Sequence, residues 1–206
     1  MKLTLTAMLA CTAASAAMAE TTNFDQAQTG QIPSAWVAGV TGSGSSKWTI
    51  ESDPTAPSKP NVLKQSGRGA FPWCVLQDSS LADGFVEVEF KAISGKEDQA
   101  GGVVWRWKDG KNYYVARANA LENNVSLYYT KNGKRKTLKY VDAPVPLNQW
   151  HTLRVEFSGN KIKVLLNGKS TIEFDDDHIA GAGAVGVWTK ADSVTSFDDF
   201  TFGVAR

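Results

Sequence analysis

Two carboxylates, Glu87 and Glu89, occupy alternate positions of the run Phe85–Phe90, FVEVEF. In an extended strand they share a face, with Cα atoms roughly 6.5–7 Å apart. A glycosidase needs such a pair, with carboxyl groups about 5–5.5 Å apart for retention and about 6.5–9.5 Å for inversion. Two solvated glutamates on an outer sheet face produce the same pattern. Glu87 and Glu89 are therefore the catalytic candidates.

A second constellation lies in Gln99–Lys131, QAGGVVWRWKDGKNYYVARANALENNVSLYYTK. Asp109-Gly110 between two β-prone runs predicts a hairpin of Val103–Trp107 with Tyr113–Asn119. With Asp109–Asn112 as the loop, Lys108 pairs with Tyr113, Arg106 faces Val115 and Arg117 faces Val104. Arg106, Tyr113, Arg117 and Asn119 then collect on one face, and Trp105, Trp107, Tyr114 and Ala116 on the other. A one-residue slip would bury one of the arginines. Arginine inside a strand is costly to bury and needs a groove, a partner or solvent. Its forked donors suit vicinal hydroxyls or a carboxylate, and tyrosine offers a stacking surface. Arg106, Arg117, Tyr113, Asn119 and Glu89 form the expected ligand-binding set. The competing reading is a structural pairing of these arginines with Glu87 or Glu89 across the sheet.

Other polar clusters are less informative. Asp175-Asp176-Asp177-His178 cannot aim three successive carboxylates at one ion, although calcium takes about six to eight oxygen ligands. Asp198-Asp199 reads as the close of the last strand, with a calcium bridge to Asp25 as the alternative. No metal site or cofactor is assigned. His151, at a strand start, reads as a surface residue. With only His151 and His178 and no G-x-S-x-G, a Ser-His-Asp hydrolase has little support. P-loop, dinucleotide and zinc motifs are missing from the sequence.

The elements that must hold these residues are strands. Short β-prone runs recur along the chain, punctuated by Asp83-Gly84, Asp109-Gly110, Asn132-Gly133, Gly159-Asn160 and Asn167-Gly168. In FVEVEF, Val86, Val88 and Phe90 share a face; in WHTLRVEF, Leu153, Val155 and Phe157 do. One apolar and one polar face per strand predicts two antiparallel sheets packed on each other. Phe24–Pro60, rich in Gly, Ser and Pro, reads as a loop-rich lead-in anchored by Trp36 and Trp48.

Lys2, the apolar stretch Leu3–Ala17 and Ala17-Met18-Ala19 read as a signal peptide over 1–19, with a mature single domain from Glu20 to Arg206. A lipid on Cys11 is the alternative. Localisation is then extracytoplasmic, periplasmic or secreted, and no further run is long enough for a membrane span. Removing Lys2 leaves 21 basic against 21 acidic residues. That neutrality argues against a nucleic-acid partner. The one concentration of charge, Lys131–Lys139 (KNGKRKTLK), reads as a solvated hairpin tip or, more sharply, as a contact for anionic sugars. Cys74 is the one cysteine left, and it reads as a small buried residue.

The segments NFD…TGQIPSAW…KWTI…DPTAPSKPNVL, DQAGGVVWRW…NYYVARANA…NNVSLYYTKNGKR, QWHTLRVEF, IKVLLNG and GAVGVWTKADSVTSFDDF carry a family resemblance. They resemble exported bacterial domains of the concanavalin A-like lectin/glucanase superfamily. More narrowly, they resemble the domain-of-unknown-function 1080 family (3-keto-disaccharide hydrolase-like) and laminin-G-like domains. The resemblance implies an all-β jelly-roll sandwich with a concave sheet face. Glucanases of the superfamily carry an E-x-D-x-(x)-E run, and VEVEF lacks its middle Asp and third carboxylate. The expected function is a non-catalytic carbohydrate-binding module. A hydrolase or lyase acting on a modified disaccharide, and an interaction domain without a small ligand, are the alternatives.

Overall fold

A computed structural model describes residues 19–204. The expected signal peptide and Cys11 lie outside the described residues, apart from Ala19. Among the described residues there is no helix, and fifteen strands form two antiparallel sheets.

The first sheet contains β1 (Glu20–Thr22), β3 (Trp48–Ser52), β4 (Asn61–Gln65), β6 (Gly84–Ser94), β11 (His151–Ser158), β12 (Lys161–Leu166), β13 (Lys169–Asp175) and β15 (Val194–Gly203). Its order is β13-β12-β11-β6-β15-β4-β3, with β1 also paired to β15. The second sheet contains β2 (Trp36–Ser45), β5 (Arg68–Leu81), β7 (Ala100–Asp109), β8 (Asn112–Asn119), β9 (Asn124–Lys131), β10 (Lys134–Asp142) and β14 (Gly183–Trp188). Its order is β10-β9-β8-β7-β14-β5-β2.

The alternation in the sequence maps directly onto burial. Val86, Val88, Phe90, Leu153 and Val155 are fully buried, while Glu87 and Glu89 lie on the outward face. In the β6–β11 register Val88 faces Leu153 and Val86 faces Val155. Together with Val103, Trp105, Tyr114, Leu127, Phe197 and Phe200 they fill the space between the sheets. Asn132-Gly133 and Asn167-Gly168 turn two of the hairpins with positive φ at both residues. That geometry matches the right-handed strand twist and is cheap for Asn and Gly.

The lead-in is more ordered than its composition suggests. Trp36–Ser45 is a full edge strand paired to β5, with Trp36 buried against Phe24 and Phe200. His151 is also buried rather than on the surface. Its Nε2 meets the Pro146 carbonyl at 2.9 Å and its Nδ1 meets the Asn167 amide nitrogen at 3.2 Å. A carbonyl only accepts, so Nε2 carries the proton and Nδ1 accepts from Asn167.

Candidate functional site on the concave sheet

The second sheet is strongly curled. β2 and β8 are four strand steps apart, about 19 Å on a flat sheet. Yet the Thr41 hydroxyl of β2 lies 2.8 Å from the Tyr113 hydroxyl of β8 and donates to the Gly110 carbonyl at the β7–β8 turn. β5 and β10 are five steps apart, and the Arg135 guanidinium still lies 4.5 Å from the Phe71 ring. The outer face of this sheet is therefore a trough whose two sides meet over its middle.

Aromatic rings line the trough. Trp73, Trp188, Tyr113 and Tyr128 are buried there with Val75, Val104 and Val115, and Phe71 and Trp107 pack on them half-buried. Phe71 stacks on Trp188 at 5.8 Å, and Trp73 meets Trp107 at 5.2 Å. Gly39 makes room for this arrangement, because a Cβ there would sit 2.5 Å from the Trp73 ring.

A polar network occupies one end of the trough. Arg117 is fully buried, with Nη1 donating to Asp98 at 3.2 Å and Nη2 to Glu122 at 2.7 Å and Asn124 at 3.1 Å. Asp98, also fully buried, accepts from Asn119 at 2.9 Å and from Lys190. The loop carrying Asp98 is held from outside, since Asp192 accepts from the backbone N–H groups of Lys96, Glu97 and Asp98. Burial raises the Asp98 carboxyl above its usual range, while Arg117 and Lys190 pull the other way. Burial also opposes ionisation of Glu122, but hydrogen bonds from Tyr140, Asn124 and Arg117 outweigh it and bring the group down to about 2.

Six polar atoms on this face are buried without a protein hydrogen-bond partner: Arg117 Nε, Thr130 Oγ1, Arg135 Nη1 and the indole Nε1 atoms of Trp73, Trp107 and Trp188. Buried donors and acceptors in native folds are almost always paired. These six share one sheet face with the Arg117 network.

The expected site set is split by the structure. Arg117, Tyr113 and Asn119 do lie together on the trough face. Arg106 does not, because the β7–β8 register slips between Trp105 and Asp109. Val104 faces Val115 and Gly102 faces Arg117, and Arg106 takes a positive φ of 46° within the bulge. The bulge turns Trp107 into the trough and Arg106 to the opposite side, over the Phe157 ring at 5.5 Å. There Arg106 donates to the carbonyls of Ala82 (3.1 Å), Ile179 (3.2 Å) and Gly159 (2.7 Å) and pairs with Asp83 at 3.2 Å. It fastens three loops.

Glu89 is separated from Arg117 by the whole sandwich. On the outer face of the first sheet it accepts from the Thr152 hydroxyl at 2.6 Å, and Glu87 pairs with Arg154 at 3.4 Å. The arginine partner of Glu87 is thus Arg154, not Arg106 or Arg117. The Asp198 carboxylate is taken by the Ser58 amide (2.9 Å) and hydroxyl (2.8 Å) and is not turned to Asp25. Asp176 accepts from Tyr114 and lies 2.7 Å from His178 Nδ1, tying the loop before β14. Among the described residues no group of three or more His, Cys, Asp or Glu side chains could hold a metal ion.

Sequence reasoning missed Asp98, Glu122, Tyr128 and Trp188, and reached Arg135 only as one residue of the charged run Lys131–Lys139. One signal was present: Arg135 and Thr137 alternate with lysines in a strand that must pair with aromatic Tyr128-Tyr129. The local pattern could not show that the sheet curls far enough to bring β10 over β5.

Two stacked antiparallel sheets, the second of them curled, define a concanavalin A-like sandwich, the fold the sequence implies. The chain belongs to the 3-keto-alpha-glucoside-1,2-lyase-like domain family, which it matches over residues 22–202. It is 25% identical over 139 residues to a levanase of Bacillus subtilis (strain 168), covering 66% of this chain but 20% of the levanase. It is similar in structure to the carbohydrate binding module CBM66 from Bacillus subtilis. That match has a TM-score of 0.65 and 20% identity and covers 81% of this chain and 93% of the module. A prokaryotic β-1,3-1,4-glucanase (lichenase) derived from a mouse hindgut metagenome shares the fold at TM-score 0.57 and 14% identity. It covers 91% of this chain and 99% of the lichenase.

Proposed function

We propose that the protein binds carbohydrate in the trough of the second sheet without transforming it. The observation that carries this reading is the set of partnerless buried atoms Arg117 Nε, Thr130 Oγ1, Arg135 Nη1 and Trp188 Nε1 beside an aromatic wall. A sugar ring offers what such a surface lacks, with hydroxyls for the donors and an apolar C–H face for the rings. Likeness to a carbohydrate binding module and to a levanase supports the ligand class. An extracytoplasmic location fits a polysaccharide ligand.

One observation favours a catalytic alternative, an elimination of the kind the family description names. Burial lifts the proton affinity of Asp98, as a general base requires. Its oxygens are already engaged by Arg117, Asn119 and Lys190, however, and Glu122 at about 2 is a poor base. Binding without turnover is the reading these carboxylates support better.

A glycan array of the protein from Glu20 onward tests it, followed by calorimetry on the hits. Phe71→Ala, which removes a half-buried wall ring, is expected to weaken binding roughly tenfold, near the top of the range for an aromatic contact. Glu89→Gln, on the other sheet, should leave affinity unchanged. The reverse pattern would move the site to the first sheet. Turnover of a 3-keto-glucoside that is lost in Asp98→Asn would establish the catalytic alternative.

A further inference from the structure

The geometry points to a sugar acid as the ligand of the trough, with Arg135 as the group that reads its carboxylate. This rests on the binding reading above and adds the ligand's charge.

Among the described residues, every other arginine faces a carboxylate: Arg68 meets Glu97, Arg106 meets Asp83, Arg117 meets Asp98 and Glu122, and Arg154 meets Glu87 and Glu156. Arg135 has neither an ion pair nor a hydrogen bond to the protein. Its guanidinium lies instead over the rings of Tyr128 (4.3 Å), Phe71 (4.5 Å) and Trp188 (5.8 Å). Nη1 is buried and partnerless.

Guanidinium stays protonated at all accessible pH, so Arg135 is a half-buried cation whose Nη1 is closed off from solvent among ring faces. Such a charge is costly unless an anion and hydrogen bonds complete it. No carboxylate pairs with it directly, because the two carboxylates of the trough are already taken. Asp98 is held by Arg117 and Lys190, and Glu122 by Arg117 and Tyr140. Arg135 is the surplus cation of the site.

The neighbouring groups suit the remainder of a sugar acid. Thr130, directly across from both Arg135 and Tyr113 in the β-ladder, has a partnerless hydroxyl. Trp188, under the stacked Phe71, has a partnerless indole N–H. A carboxylate on the Arg135 fork would leave the sugar's C–H face for the half-buried Phe71 ring. Exposed Lys134 and Lys136, on either side of Arg135, add attraction for an anionic chain at low salt.

The test compares oligogalacturonides and glucuronic-acid-containing oligosaccharides with their carboxyl methyl esters, which are neutral but otherwise alike. Calorimetry on the wild-type protein is expected to favour the acid by roughly tenfold or more, as for a charge-assisted hydrogen bond. The preference should shrink with added salt. Arg135→Gln should erase the preference by lowering acid affinity more than ester affinity. Esters binding as tightly as acids, or neutral sugars alone binding with a loss in Phe71→Ala, would overturn the acid assignment and leave the binding reading standing. Failure of every acid, ester and neutral sugar to bind the wild-type protein would overturn both. The acid-against-ester comparison needs no variant, so misfolding of Arg135→Gln would not obscure it.

Discussion

Arg106 and Arg117 sit on adjacent strands of one hairpin and on opposite faces of its sheet. Arg117 belongs to the polar end of the trough. Arg106 closes the other side, where carbonyls from three loops converge on its guanidinium.

Arg106→Ala should therefore destabilise the fold without touching the trough directly. It strands the carbonyls of Ala82, Ile179 and Gly159 and removes a charged donor set, a loss of about 2–4 kcal/mol. Chemical denaturation measures it. A change below about 0.5 kcal/mol, the scale of an ordinary surface substitution, would show that the three loops hold without it.

Val88→Asp places an unpaired charge between the sheets opposite Leu153 and should prevent folding. Glu87→Gln loses a partly exposed pairing with Arg154, about 0–1 kcal/mol. Circular dichroism of the two variants checks the strand's faces, and equal damage would mean they are reversed.

Glu122 and Asp198 should give opposite pH signatures. Glu122 is lowered from 4.5 to about 2, so its contribution is present above pH 4.5 and lost as pH falls toward 2. Glu122→Gln should flatten that acid limb. Asp198 is raised by burial from 3.8 to about 6, against the hydrogen bonds from Ser58. The folded state then holds a proton that the unfolded state releases. Stability from this group is full below pH 3.8 and is lost as pH rises to about 6, with a span of about 3 kcal/mol. Asp198→Asn should remove that fall, as read from denaturation midpoints across pH 3–8. A wild-type curve with the same slope as Asp198→Asn would contradict the assignment.

Cys74 is fully buried in β5, and burial pushes its thiol up, away from the thiolate. A thiol reagent should label it only after unfolding. Labelling of the native protein within minutes would place the side chain elsewhere.

Cleavage after Ala19 would leave β1 whole, since its first residue, Glu20, pairs with Phe202. If the chain is exported, its mature form is expected to begin at Glu20, and N-terminal sequencing decides this. A lipid on Cys11 would replace that expectation.

The sequence by itself determined the sandwich and its inner faces. The shared inward face of Val86, Val88 and Phe90, and that of Leu153, Val155 and Phe157, are a matter of period-two alternation, a local property that burial then obeys. Hairpin turns at Asn132-Gly133 and Asn167-Gly168 are equally local, because positive φ is a preference of the residues themselves. Grouping Arg117, Tyr113 and Asn119 needed only the parity of one strand. Tertiary structure alone decided the rest. The bulge at Arg106 is stabilised by carbonyls from distant loops, so nothing within the hairpin announces it. Glu89 follows the alternation of its strand, but which sheet that strand joins is a long-range choice, and it put Glu89 across the core from Arg117. The curl that carries Arg135 over Phe71 and Trp188 accumulates over five strand steps and depends on twist and packing throughout the sheet. A lysine-rich hairpin reads as solvated until that curl brings one of its side chains, Arg135, onto the aromatic wall.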